Sequence, residues 1–251
     1  MVEDEILRIC WLSLASAAGW FLSTLAGGGS PLVLIPALSV FLSPAAVPPV
    51  LTVGMLFGNA QRVFIYWRAI DWQVTGWYLP GATIGAVVGA FTLTQIQLNW
   101  LPLLLGFFLI LSSASFSKES PAWLKVRVWY FLPAGLVYAF LSGLIGSTGP
   151  LLNPFYLNYG LLKERMIATK SVNVLVVHII KIAAYGVFGA FTGSHLGYGL
   201  IIGMAAFPGN WLGQMLLNKM SEQQFRQAVA VFVALSGMLI LWNQRQLLAF
   251  W

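Results

Sequence analysis

The sequence predicts an all-α polytopic membrane protein made of two inverted repeats of about five helical elements each, with glycine-broken helices at the repeat interface. Of the 251 residues, 59% are hydrophobic and 8% are charged, and the mean hydropathy is +0.83. A soluble domain carries about 25% charged residues. The runs 9–61 and 128–162 contain no charge, and each is longer than the roughly 20 apolar residues that cross a bilayer. An internal repeat predicts the two halves.

Turn residues, prolines and charges divide the chain into ten apolar segments, five on each side of the polar stretch 117–127. The predicted helical elements are 6–26, 31–43, 46–66, 74–93, 100–116, 128–145, 150–160, 166–190, 196–217 and 228–250. We therefore predict a first transmembrane repeat over 1–118, a cytoplasmic linker over 119–127 and a second transmembrane repeat over 128–251.

Two of the predicted elements, 31–43 and 150–160, are short. At 1.5 Å per residue they reach only about 15–20 Å, whereas the hydrocarbon core is ~30 Å thick. If both cross, the basic loops all fall on one side of the membrane, as the positive-inside rule requires, and the acidic N-terminus falls on the other. We therefore expect a multi-pass inner-membrane protein with both termini extracytoplasmic. Re-entrant short segments are the alternative.

The internal repeat centres on a broken helix. FLSTLAGGGSPL (21–32) aligns with FLSGLIGSTGPL (140–151) at an offset of 119 residues, with seven identities in twelve positions. The same offset pairs Arg62 with Lys181. Two related halves with an odd number of helices are typical of secondary transporters, in which interrupted segments mark the binding site. The alternative is that the repeat serves folding alone.

The two glycine-rich breaks lack the motif of a nucleotide-binding phosphate loop. Unwound backbone within a membrane is tolerated only where it lines a cavity or is buried in protein. Ser30-Pro31 has the serine cap and first-turn proline that begin helices, and Gly149-Pro150 follows the same plan. Each break therefore leads into a short helix whose N-terminal N–H groups favour an anion. Close helix packing through small residues is the alternative.

A polar stripe continues from each break along one face of the following helix. It consists of Thr52, Asn59 and Arg62 in the first half and of Ser171, His178 and Lys181 in the second. Ionisable residues within a membrane are costly and usually functional, although a basic side chain near a helix end can instead snorkel to the interface. All seven acidic residues lie at segment ends or in loops, which argues against a mid-membrane cation site.

Several motifs carry a family resemblance. They are Gly27-Gly28-Gly29 with Pro36, a weaker copy over 146–154, twin Pro-Gly-x-x-x-Gly segments at 80–85 and 208–213, and Ile70-Asp71-Trp72. In their order and duplication they resemble the sulfite exporter TauE/SafE family over essentially the whole chain. The resemblance implies a cytoplasmic-membrane permease for small sulfur-containing anions such as sulfite or sulfonates, usually in the export direction. The second copy has Gly-Ser-Thr-Gly instead of the glycine triplet, so the two breaks need not bind substrate equally.

We predict an alternating-access transporter of small anions that needs no cofactor or metal, is not an enzyme and binds no nucleic acid. Membrane potential or proton coupling would drive it, and its partners would be the small anionic substrate, the lipid bilayer and, in a homodimer, a second copy. The predicted substrate-binding residues are Gly27, Gly28, Gly29, Ser30, Thr52, Asn59, Arg62, Gly146, Ser147, Thr148, Ser171, Asn173, His178 and Lys181. The alternatives are an anion importer, a channel of other specificity and a membrane-embedded redox subunit.

Overall fold

The computed structural model describes residues 2–43, 46–95, 110, 126–148, 150–191 and 193–243. Within these ranges the regular structure is helical, without a strand, which confirms the all-α prediction. The α-helices are α1 (Val2–Leu25), α2 (Ser30–Ser39), α3 (Val47–Ile65), α4 (Trp72–Gln95), α5 (Phe131–Ile145), α6 (Asn153–Tyr159), α7 (Lys163–Val187), α8 (Gly193–Met204), α9 (Ala206–Leu217) and α10 (Glu222–Asn243). The predicted element 100–116 lies outside the described residues, apart from the helical Ile110.

Five helical stretches are long and apolar enough to cross a membrane. They are Glu5–Leu25, Trp72–Gln95, Val128–Ile145, Lys163–Val187 and His195–Leu217. Large apolar side chains such as Ile84 and Val187 face outward, while Arg62 and Lys181 are buried. This distribution is the reverse of that in a soluble domain, where charged side chains are almost never fully buried. The chain is therefore a multi-pass membrane protein.

Two predicted elements are shorter in the structure and a third is divided, while α7 and α10 begin three and six residues before the predicted 166 and 228. The short helices α2 and α6 have 10 and 7 residues, fewer than the predicted 31–43 and 150–160, and whether the chain crosses the membrane there stays a prediction. The predicted element 196–217 is two helices, α8 and α9, with a break at Ala205. Pro208 explains the break, since proline cannot donate to the carbonyl four residues earlier, that of Met204, and its ring crowds that carbonyl.

The two halves interlock through corresponding helices. Helix α4 packs along α5, α9 packs along α1, and α3 packs against α7. A Cβ atom on Gly85 would lie 2.1 Å from the carbonyl oxygen of Leu136, and one on Gly209 would lie 2.1 Å from that of Ala17. Ala17 and Leu136 are 119 residues apart, so both Pro-Gly segments pack on corresponding parts of the partner helices. The register differs by about one turn, because the equivalent of Gly209 is Gly81, whose Cβ would lie 2.1 Å from the carbonyl oxygen of Leu132. The inverted orientation of the halves stays a prediction.

Helix α7 is the most deeply placed of the five candidate spans. Of the most apolar 18 consecutive residues of α7, 67% are buried inside the protein, compared with 28% of the corresponding 18 residues of α1. It contacts α3 on one side and α4 on another. Because α7 is central, polar residues along it lie inside the protein, where they can line a path across the membrane.

Candidate functional site

The first break adopts a backbone conformation that requires glycine. Helix α1 ends at Leu25, and Gly27, Gly28 and Gly29 have φ angles of +65°, +134° and +114°. Side-chain-bearing residues rarely adopt such angles, because their Cβ atoms crowd the backbone, whereas glycine does so freely. The predicted interruption of the helix is thus confirmed, and its physical reason is the left-handed path of three successive residues.

The start of α2 differs from the prediction in one respect. Gly29, not Ser30, is the cap of α2, and Ser30 is already the first helical residue, with Pro31 in the first turn as predicted. The expectation that the Ser30 side chain caps the helix is wrong, because the turn at this position has the positive φ angle that glycine tolerates. The Ser30 hydroxyl instead lies 3.3 Å from the sulfur of Met55.

The second break corresponds to the first but is built differently. Helix α5 ends at Ile145, and Gly146 has a φ of +94°, matching Gly27 in the repeat alignment. A turn over 150–152 follows, so α6 begins only at Asn153. The prediction that α6 begins at Pro150 is therefore wrong by three residues, and Gly149, its predicted cap, lies outside the described residues.

A small cavity lies against the first break. It is lined by Ser23, Gly27, Gly28, Gly29, Met55, Asn59, Arg62, Tyr138, Ser147, Ile167, Lys170, Ser171 and Val174. The space open to the centre of a water molecule is about 20 Å³, enough to hold a water. Half of the predicted site residues meet here, namely Gly27, Gly28, Gly29, Asn59, Arg62, Ser147 and Ser171.

Lys170 on α7 is the charged cavity residue that sequence reasoning missed, and Ser23 and Tyr138 are polar lining residues that it also missed. The side chain of Lys170 is buried, and its Nζ donates to the carbonyl oxygen of Gly27 at 2.7 Å and to Oδ1 of Asn153 at 2.6 Å. Asn153 in turn donates to the carbonyl oxygen of Ala26 at 3.2 Å. Lys170 thus ties the first break to the start of α6. In the sequence, Lys170 stands out only as a lysine inside an apolar segment. The residue that the repeat pairs with it, 119 positions earlier, is Leu51, so the comparison of the two halves did not mark Lys170 as a site residue.

Arg62 points into the protein rather than to the membrane interface. It is 4% exposed, and its guanidinium lies 4.5 Å above the ring of Trp20. Its Nε donates to Oδ1 of Asn210 at 2.8 Å, and Nη2 donates to Oγ1 of Thr24 at 2.7 Å. Among the described residues, Nη1 has no hydrogen-bond partner. The snorkelling interpretation of Arg62 is therefore wrong.

The cavity is positively charged. Arg62 and Lys170 are the basic side chains that line it, and its lining contains no Asp or Glu. The ion pairs that the structure describes, such as Arg165 with Asp71 at 3.2 Å, lie near the start of α7 instead. Like charges repel more strongly in a low-dielectric interior than in water, so an anion in the cavity would relieve this repulsion.

Lys181 and His178 lie apart from the cavity. Lys181 is fully buried and donates to the carbonyl oxygens of Ser142, at 2.8 Å, and Gly146. It therefore caps the end of α5, whose last carbonyls have no partner within the helix, and does not snorkel. His178 is also fully buried, and neither ring nitrogen has a hydrogen-bond partner in the part of the chain that the structure describes.

The other predicted residues outside the cavity make local contacts or none. The Thr52 hydroxyl donates to the carbonyl oxygen of Pro48 at 2.7 Å, within α3. Asn173 donates through Nδ2 to the hydroxyl oxygen of Tyr156 at 3.0 Å. The buried hydroxyl of Thr148 has no partner among the described residues. A binding role for these side chains stays a prediction.

Asn210 on α9 accepts a hydrogen bond from Arg62 and so orients it; we expect Asn210→Ala to weaken the predicted anion binding about tenfold. Besides accepting from Arg62, it donates to the carbonyl oxygen of Gly58 at 3.0 Å and to Oε1 of Gln61 at 2.9 Å. Each buried partner left unsatisfied costs about 1–3 kcal/mol, so the melting temperature should fall as well. Thermal unfolding with and without sulfite measures both effects. Asn218→Ala, at the exposed C-cap of α9, is the control, and an unchanged anion affinity in Asn210→Ala would contradict the positioning role.

Comparison with known proteins shows which family the chain is similar to. The family model described as sulfite exporter TauE/SafE matches residues 11–240. A curated protein of Comamonas testosteroni, named "Probable inner membrane transporter protein TsaS", is 25% identical over 181 residues, which cover 68% of this chain and 72% of that protein. No solved structure matches the chain.

Proposed function

Because the chain belongs to the sulfite exporter TauE/SafE family of membrane transporters, we propose that it carries small anions through the cavity between the first glycine break and α7. The observation that carries this proposal is the cavity's charge: Arg62 and Lys170 both line it, and its lining has no Asp or Glu. A cation would be repelled there, whereas a single anion would interact favourably with both groups.

The proposed substrate is a small sulfur oxyanion such as sulfite. The family description supports sulfite. The cavity as described has room for about one water, so it would have to widen to admit any anion, and it would have to widen less for sulfite than for a bulky sulfonate. The hydroxyls of Ser23, Ser147 and Ser171 line the same cavity and would donate hydrogen bonds to the oxygens of the anion. The backbone N–H of Ser30 would add to this set, whereas Pro31 has no N–H and that of Leu32 already donates to the carbonyl oxygen of Gly29 at 3.0 Å.

The proposed mechanism is alternating access. Glycine contacts bring α4 against α5 and α9 against α1 at backbone distance, so each pair is expected to move as a unit. Movement of these pairs relative to the central helices α3 and α7 would open the cavity to one side at a time. Export fits the sign of the membrane potential, because an anion leaving a cell that is negative inside gains about 2.3 kcal/mol per charge per 100 mV.

A counterflow experiment in liposomes tests this proposal. Purified protein is reconstituted, and uptake of radiolabelled sulfite is measured into vesicles preloaded with sulfite, thiosulfate, a small sulfonate, phosphate or acetate. We expect internal sulfite to accelerate uptake of the labelled anion, because a carrier exchanges faster than it returns empty. Absence of flux with every anion would contradict anion transport. Flux without acceleration would contradict alternating access and favour a channel.

A further inference from the structure

A cluster of uncharged polar side chains lies beside the cavity, and all of its members but one belong to the second half of the chain. We call it the hydroxyl cluster; its members are Tyr78 of α4, Tyr138 of α5, Tyr156 of α6, Asn173 of α7 and the loop residues Ser147 and Thr148. Each of these residues is at most 8% exposed. Tyr138 and Ser147 also line the cavity, so the hydroxyl cluster is continuous with it.

Contacts across four helices hold the hydroxyl cluster together. The ring centroids of Tyr78 and Tyr138 are 6.4 Å apart. The hydroxyl of Tyr156 accepts from Asn173 at 3.0 Å, and the three tyrosines belong to one cluster of buried side chains. The hydroxyl of Tyr138 lies near Ser147. These side chains therefore converge on one buried volume instead of lying scattered along the helices.

Four polar atoms of the hydroxyl cluster have no hydrogen-bond partner among the described residues. They are the hydroxyls of Tyr78, Ser147 and Thr148 and the amide oxygen of Asn173; those of Ser147 and Thr148 lie near the hydroxyl of Tyr138 without forming a well-directed hydrogen bond to it. Buried polar atoms in proteins are nearly always paired with protein, water or a bound molecule. Three of the four are O–H donors, which match the acceptor oxygens of an anion. The set contains no charged group, so it would hold an anion more weakly than the cavity does.

We infer that the hydroxyl cluster is a second, weaker position for the transported anion, reached from the cavity past Tyr138. This inference rests on the proposed function. A transported solute must bind tightly enough to enter but loosely enough to leave. A position formed by neutral hydroxyls would hold the anion more loosely than Arg62 and Lys170 do, and so would allow it to leave the cavity. The four unpaired atoms are closed off from solvent, so this position is shut in the conformation described.

The packing of α4 on α5 indicates where the second position opens. A Cβ atom on Gly135 would lie 2.5 Å from the carbonyl oxygen of Tyr78, so Tyr78 and Tyr138 are held on a closely packed helix pair. Tyr156 and Asn173 belong to α6 and α7. Separation of these two groups would admit the anion between the tyrosine rings and Asn173.

Tyr78→Phe and Thr148→Val test this inference, since each removes one unpaired hydroxyl with little change of shape. We expect each variant to lower the maximal sulfite flux in liposomes at least tenfold, with the half-saturating sulfite concentration unchanged. Tyr66→Phe is the matched control, because its hydroxyl is also buried and unpaired among the described residues but lies outside the hydroxyl cluster. Its flux should equal that of the wild type.

The outcomes separate this inference from the proposed function. Wild-type flux in both Tyr78→Phe and Thr148→Val would overturn the second position while leaving anion transport intact. A raised half-saturating concentration at unchanged maximal flux would also overturn it, since the hydroxyls would then belong to the first site. If one variant does not fold, as judged by its melting temperature, the other supplies the same test. Absence of flux in the wild-type protein would instead contradict the proposed function.

Discussion

Lys170→Gln is expected to lower sulfite flux at least 100-fold. Glutamine can still donate to the carbonyl oxygen of Gly27, the hydrogen-bond partner of the lysine at 2.7 Å, but it brings no charge into the cavity. A unit charge beside an anion in a partly shielded interior is worth several kcal/mol, and a 100-fold loss corresponds to about 2.8 kcal/mol. Liposome flux and sulfite-induced stabilisation of the purified protein measure the effect.

Lys163→Gln is the matched control for this experiment. Lys163 lies at the start of the same helix and pairs with Glu164 at 3.6 Å, away from the cavity lining. Its replacement removes the same charge from the chain and should leave flux at the wild-type level. Wild-type flux in Lys170→Gln would refute the assignment of the cavity as the anion site. Equal losses in both variants would indicate a general effect of net charge.

Gly85→Ala is expected to lower the free energy of unfolding by about 3 kcal/mol or more, since overpacking a close interface costs 1–3 kcal/mol and occasionally more. The added Cβ would lie 2.1 Å from the carbonyl oxygen of Leu136 and 3.0 Å from the backbone nitrogen of Phe140. Both contacts are with backbone atoms, which cannot rotate away as a side chain can. The methyl group would therefore force α4 and α5 apart. Thermal unfolding in detergent and the yield of monodisperse protein measure this loss.

Gly76→Ala provides the control on the same helix. A Cβ atom on Gly76 meets no other atom within 4 Å, and alanine favours a helix over glycine by about 1 kcal/mol. The melting temperature of this variant should therefore equal or exceed that of the wild type. If Gly85→Ala unfolded at the same temperature as Gly76→Ala, the close approach of α4 and α5 would be wrong.

The sequence predicted the features that depend on composition and on short segments. Low charge and long apolar runs established a helical membrane protein, because only apolar surface is stable in the hydrocarbon core. Three consecutive glycines predicted the break after α1, because the left-handed backbone found there excludes other residues. The family motifs, which extend from the glycine triplet at Gly27–Gly29 to the second Pro-Gly segment at 208–213, gave the resemblance that the match over 11–240 confirms.

The composition of the cavity, by contrast, was decided by the tertiary structure. Periodicity predicts which residues share one face of one helix, but not which face of another helix it meets. Arg62 and Lys181 correspond in the repeat, yet Arg62 lines the cavity while Lys181 caps α5. Lys170 enters the site through a contact with Gly27, 143 residues away. Such partners are set by how separate helices pack, so the sequence by itself determined the membrane fold and the broken helix, and the packing decided which basic residues line the cavity.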